Sequence, residues 1–429
     1  MSYKTGLVLG GGGSRGSYEL GVWKALRELG IDINVVTGTS IGAINGAMIT
    51  QGDYEIALSL WNRIETAKVM DVPVSEEHTL KKKVWQTYQS FAVNFVKSGG
   101  TDTNPLKQTL EAYIDEERIR KSDIEYGLVT VEMDTNIPCE LFREDIPNGK
   151  LIDYMIASAS IYPAFKPHRI DDVRYLDGAY YDNLPVKMAL EKGADHVIAV
   201  DLEAFGVVRK EMLALAGRLT YIRCYWNLGP TLVFDRTVIR RNIRLGYLDA
   251  LKAFQAYEGC AFTFICGFGR QAAARLATYF PLKSLVERGS AGLMLNHLFL
   301  KQIGKIFEEH GVSDTDEEKT ALVCAEVAGE VFGVDSEMIY SYEVWQEQME
   351  KCVREAMTLE RGEKELPGFA DALYEGAKTF TGRRSRAIHA GRVISDMVRA
   401  QKPAPSPAGL SILPEAFLAG VYLAACEWV

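Results

Sequence analysis

Between residues 5 and about 201, apolar and polar positions fall into short blocks whose period changes from element to element. Gly6-Leu7-Val8-Leu9 is an unbroken apolar run, the mark of a buried strand. Gly10 to Gly13 follow, and residues 17–29 then place Leu20, Trp23, Ala25 and Leu26 at helical spacing. Ile33-Asn34-Val35-Val36 predicts a second strand, and residues 43–49 a helix built of small residues. Further helices are expected over 53–65, 154–160 and 186–192, and further strands over 126–133, 173–176 and 194–201. Strand and helix alternate throughout, which predicts an α/β fold: a mostly parallel sheet with helices on both faces.

Two stretches differ in character. Leu80, Val84, Tyr88, Phe91 and Phe95 recur at steps of three or four, flanked by Lys81-Lys82-Lys83 and Lys97. This pattern fits best a helix covering the core with solvated lysines; the alternative is an interfacial helix that meets anionic lipid. Ser98-Gly99-Gly100 ends it, and another helix is expected over 102–114. Beyond about 210 the strand signals fade. Residues 218–256 read mostly as helix, and 270–400 are rich in helix-forming residues. Residues 402–407 form a Pro-rich connector before a final apolar helix over 413–428, expected to pack back on the core. The division that follows is an α/β domain over 1–205, a helical extension over 206–260 and a mainly helical C-terminal region over 261–429.

Composition narrows the function classes. A 429-residue chain with 47% hydrophobic residues can bury a large core, in two domains or in one with an appendage. Its net charge of -9 argues against a general nucleic-acid-binding role. The cysteines (Cys139, Cys224, Cys260, Cys266, Cys324, Cys352 and Cys426) are odd in number and widely spread, with no CxxC pair. Free thiols in a reducing compartment are expected, without disulfides or structural zinc. The N-terminal residues lack the layout of a signal peptide. The longest apolar stretch, 410–426, is short for a membrane span and contains Pro414 and Glu415. A cytoplasmic protein is expected, with peripheral membrane contact open to it.

The candidate chemistry centres on Gly38-Thr39-Ser40-Ile41-Gly42. A Gly-x-Ser-x-Gly between a strand and a helix is the nucleophile-elbow pattern, in which a strained turn projects the serine hydroxyl. The glycine loop before the first helix admits three readings. As a dinucleotide fingerprint, Gly11-x-Gly13-x-x-Gly16 lacks an acidic residue at the end of the second strand. As a P-loop it lacks the lysine, since Ser17 stands in its place. As an oxyanion hole, its amides would face the serine of the neighbouring strand's elbow; this reading accords best with the pattern.

A serine nucleophile needs a base. The histidines are His78, His168, His196, His297, His310 and His389, and none has a site-like setting. Asp177 ends a strand and enters Gly178-Ala179, so it is expected at the sheet's functional edge, where it could take the serine proton directly.

In these motifs the chain resembles the patatin-like phospholipases, a family of serine acyl-hydrolases. Four segments carry the resemblance in the family's order: Gly10-Gly11-Gly12-Gly13-Ser14-Arg15-Gly16, Gly38-Thr39-Ser40-Ile41-Gly42, Ala157-Ser158-Ala159-Ser160-Ile161-Tyr162-Pro163 and Asp177-Gly178-Ala179. It covers roughly residues 1–205. It implies a Ser-Asp dyad acting on acyl esters of lipids without histidine, metal or cofactor. It supplies Ser40 as nucleophile and Asp177 as base, with Gly11, Gly12 and Gly13 as oxyanion donors and Arg15, Gly38, Gly42 and Gly178 in support. The expected partner is a phospholipid or other lipid ester, at a membrane surface and not a nucleic acid. Two alternatives stay open: an acyltransferase with the same dyad, and a nucleotide-binding protein using the glycine loop.

Overall fold

The structure, a computed structural model, describes residues 4–70, 79–279, 293–312, 316–362, 380–400 and 413–429. The Pro-rich connector, the first three residues and His78 lie outside the described residues. The chain divides into two compact units, Met1–Ala253 and Phe254–Val429.

The first unit is built on one sheet. Its strands are β1 (Thr5–Leu9), β2 (Val35–Thr39), β3 (Glu125–Glu132), β4 (Pro138–Phe142), β5 (His168–Ile170), β6 (Val173–Asp177), β7 (His196–Asp201) and β8 (Arg218–Arg223). The order is β5-β6-β3-β2-β1-β7-β8, with β4 also on β3. β1, β2 and β7 are the apolar runs of the sequence, and each is almost wholly buried, as strands covered on both faces must be. β1 pairs parallel with both β2 and β7, and β2 pairs parallel with β3. The chain therefore leaves β1 and β2 at the same sheet edge. The glycine loop and the Ser40 turn emerge side by side, as adjacent parallel strands require. Helices α1 (Ser17–Glu28), α2 (Ile41–Gln51) and α3 (Tyr54–Arg63) follow. The side chain of Asp53 caps α3 by accepting from the Ile56 amide at 3.1 Å.

The α/β class holds, with two departures. β4, β5 and β6 join by antiparallel pairings, so the sheet is parallel only through β3-β2-β1-β7-β8. Residues 218–223, read as the start of a helix, instead form the edge strand β8. Only Ile222 of that strand is buried, so its sequence carries no inward apolar alternation. The helix expected there begins later, at Arg236–Ala253.

The second unit is mainly helical. Its longer described helices are Leu293–Glu309, Glu317–Phe332, Tyr342–Gly362 and Phe380–Ala400. The last apolar helix, Pro414–Ala425, is buried along its whole length against Phe380–Ala400 and Glu317–Phe332. It is thus a core element of the second unit. A short parallel pairing of Thr263–Phe264 with Ile339–Tyr340 carries an aromatic cluster in which Phe264 stacks on Phe268 at 3.9 Å and meets Trp345 at 4.9 Å. No helix among the described residues is long and apolar enough to cross a membrane.

Candidate active site

Ser40 sits between β2 and α2 with φ 55° and ψ -123°, a conformation that costs a non-glycine residue about 1–3 kcal/mol. The surroundings enforce it. A Cβ at Gly42 would lie 2.3 Å from the Leu9 carbonyl oxygen, and one at Gly38 2.3 Å from the Gly42 carbonyl oxygen. Only glycine lets the turn lie this close to β1. The Ser40 amide donates to Ser158 Oγ at 2.9 Å, tying the turn to the Ala157–Pro163 segment. The N-terminus of α2 stands at the serine and favours negative charge there.

Sheet register explains how Asp177 reaches this serine. β2 ends where Thr39 pairs with Val129, and β6 ends where Asp177 pairs with Thr130. Two strands running in opposite directions therefore meet at consecutive residues of β3, which brings Asp177 to Ser40. Gly178 then passes against the β3 backbone, where a Cβ would lie 2.3 Å from the Val129 carbonyl oxygen. The Asp177 carboxylate is buried, accepts the Ala179 amide at 2.8 Å and lines the same cavity as Ser40. Burial pushes its carboxyl up to about 7, with the Ala179 amide and the Ser40 side chain pulling the other way. A carboxyl held there is matched to taking a proton near neutral pH.

The glycine loop divides its labour. Gly11 donates to the Asn183 carbonyl at 3.2 Å and to Asn183 Oδ1 at 3.1 Å. Its amide is therefore occupied, which departs from its expected place among three donors. Gly12 and Gly13 have no such acceptor among the described residues, and both line the cavity that holds Ser40. Arg15 does not face the cavity: its guanidinium donates to the carbonyls of Gly229, Leu202 and Glu203 at 2.8, 3.1 and 2.6 Å. It braces the loop from behind, and partial burial lowers its pKa.

The cavity measures about 360 Å³. Ser40, Asp177 and the glycine loop supply its polar end, while Ile44, Ile64, Val69, Leu106 and Phe234 give it an apolar wall. No histidine among the described residues lines it. His168 bonds Asp153 at 3.3 Å and His196 bonds Thr220 at 2.8 Å, while His310 is buried against the Ile306 carbonyl and Glu330.

Two contributors escaped sequence reasoning. Ser158, within the Ala157–Pro163 segment, takes the Ser40 amide, a role no local sequence signal marks. Asn183 reads as part of a helix start, yet its side chain holds Gly11 by both amide and carbonyl. Asp182 beside it is buried with Oδ2 unpaired, and burial pushes its carboxyl up to about 7 as well. Its side chain takes the Leu184 amide at 3.1 Å and does not line the cavity.

A strained serine, a buried carboxylate and two glycine amides without an acceptor among the described residues thus meet at one apolar cavity. Residues 7–190 match the model of the patatin-like phospholipase family. The chain is 28% identical over 269 residues to a lysophospholipase NTE1 of Chaetomium globosum, covering 60% of this chain and 16% of that protein. It is 30% identical over 253 residues to a lysophospholipase NTE1 of Candida glabrata, covering 58% and 13%. The chain thus spans about a sixth or less of the length of these relatives. Among solved structures, VipD from Legionella pneumophila shows a TM-score of 0.39 at 14% identity, over 100% of this chain and 91% of that one. The type III effector ExoU shows 0.27 at 13%, over 98% and 93%.

Proposed function

We propose that the chain hydrolyses acyl esters of lipids, phospholipids or lysophospholipids among them, through a Ser40–Asp177 dyad. The observation that carries this reading is a strained serine and a buried carboxylate lining the same cavity, beside glycine amides that also face it. Asp177 takes the Ser40 proton as Oγ attacks the ester carbonyl. The amides of Gly12 and Gly13 hold the oxyanion, and the acyl chain lies along the apolar wall. The intermediate collapses as the protonated Asp177 gives its proton to the leaving alkoxide. Water then gives a proton to Asp177 and attacks the acyl-enzyme. Ser40 leaves and recovers the proton, completing the cycle. Every step uses protein groups, so activity is expected to survive EDTA; loss restored by calcium would overturn this part.

The test is hydrolysis of lysophosphatidylcholine and a diacyl phospholipid, with glycerol added as an alternative acceptor. Free fatty acid is expected to be the main product. Acyl-glycerol as the main product would make the chain an acyltransferase, and no turnover of any lipid ester would end the reading.

A further inference from the structure

The Leu80–Ser98 helix is unlike the rest of the first unit. Only Thr87 and Phe91 are buried along its length. Phe91 turns inward onto Phe165 at 6.2 Å, and Lys83 is paired with Asp235 at 2.7 Å. The apolar stripe of the sequence is therefore partly used up inside. A second face is not. Trp85 is 65% exposed, Tyr88 46%, Phe95 41% and Val96 85%. At 100° per residue these four lie on one side of the helix.

This face continues into the cavity rim. Phe95 meets Tyr162 edge-on at 5.8 Å, and the Tyr180 hydroxyl donates to the Tyr162 carbonyl. Tyr180 in turn meets Phe205, which is 71% exposed, at 6.0 Å. Tyr162, Tyr180 and Phe205 all line the cavity. Charge points to the occupant. The helix contains no acidic residue, although the whole chain carries -9. Lys81 and Lys82 at its first turn and Lys97 at its last are exposed. An exposed aromatic face between cationic ends, joined to the mouth of an apolar cavity, matches a lipid surface with anionic headgroups.

We infer that the Trp85–Tyr88–Phe95–Val96 face is the surface by which this protein docks on an anionic lipid layer, setting the cavity mouth against it. The inference rests on the lipid-ester reading for its purpose, but docking itself needs no catalysis. It is tested in the Ser40→Ala protein, so that vesicles stay intact. Co-sedimentation uses vesicles of phosphatidylcholine alone and of phosphatidylcholine mixed with phosphatidylserine. The parent is expected to bind the mixed vesicles more tightly. Trp85→Ser with Val96→Ser should weaken binding to both by about tenfold or more. Lys81→Gln with Lys82→Gln should weaken binding to the mixed vesicles alone by roughly 10- to 30-fold.

With Ser40 restored, both double variants should cleave a soluble short-chain ester within about twofold of the parent, because none of the four residues lines the cavity. Loss of ester cleavage by the parent would remove the catalytic reading and leave the docking result standing. Equal vesicle binding by the parent and both double variants would overturn the inference, as would no binding by the parent. Concentration-dependent dimerisation that the Trp85/Val96 variant abolishes, without vesicle binding, would assign the face to a second copy instead.

Discussion

Ser40 and the Leu80–Ser98 helix beside its cavity are held by opposite means. The serine turn is fixed by backbone: β2 is paired on both edges, Gly42 lies against β1, and Ser158 takes the Ser40 amide. The helix buries few side chains; the Lys83–Asp235 ion pair and the ring contacts of Phe91 and Phe95 with the cavity wall are among its ties. The backbone-determined side can hold strain and position reacting atoms to within fractions of an ångström. The side-chain-held side leaves its aromatic residues exposed, which suits a surface that meets something soft and variable. Chemistry and approach are thereby separable, and mutations should separate them.

The largest effects belong to the backbone-determined side. Ser40→Ala and Asp177→Asn are each expected to lower kcat by about 10⁴ or more while leaving the circular dichroism spectrum unchanged. A histidine variant, His168→Ala or His196→Ala, falling as far while folded would restore a conventional triad. Asn183→Ala comes next. It removes both side-chain bonds to Gly11, leaving its amide only the main-chain carbonyl of residue 183, and loosens the loop that presents Gly12 and Gly13, so kcat should fall by about 10²-fold with little change in KM. A change confined to KM would make Asn183 a substrate contact.

The pH profile sharpens the same side. Asp177 must be ionised to accept a proton, so kcat/KM should rise about tenfold per pH unit below about 7 and level off above. Asp182 also titrates near 7, and Asp182→Asn should leave that inflection in place. A shift of the inflection in Asp182→Asn would transfer it to the wrong carboxyl.

Stability gives a smaller, independent reading. The folded-state value of Asp177 is raised above its ordinary 3.8, so the folded protein holds an extra proton between 3.8 and about 7. Stability from this group is full below the lower value and lost as pH rises through the upper one. Asp177→Asn should therefore melt roughly 5 °C higher than the parent at about pH 8, an advantage that fades towards about pH 4. The smallest effect is expected from Trp85→Ser on soluble ester turnover, which should stay within about twofold.

Much of the backbone-determined side was legible in the sequence. Gly38 and Gly42 announce a close approach, Leu7-Val8-Leu9 a buried strand, and Asp177-Gly178 a strand end. What escaped was long-range. Nothing local in Val173–Asp177 says that it runs antiparallel to β3 and stops one residue beyond Thr39. Nothing local in Asp182-Asn183 says that the asparagine is the partner of Gly11. β8 was misread because an edge strand with one buried residue has no period to detect. The stripe at Leu80–Phe95 was a true helix signal. Periodicity alone could not say which of its apolar residues a neighbour covers, and Phe91 went inward while Trp85 and Val96 stayed out.

The central claim is that Ser40, activated by Asp177, is the nucleophile. It is tested most directly by treating the pure protein with a fluorophosphonate and mapping the adduct by peptide mass spectrometry. A single adduct on the peptide containing Ser40 is expected, absent in Ser40→Ala and formed far more slowly in Asp177→Asn. An adduct on another serine, or undiminished labelling of Ser40→Ala, would contradict the account.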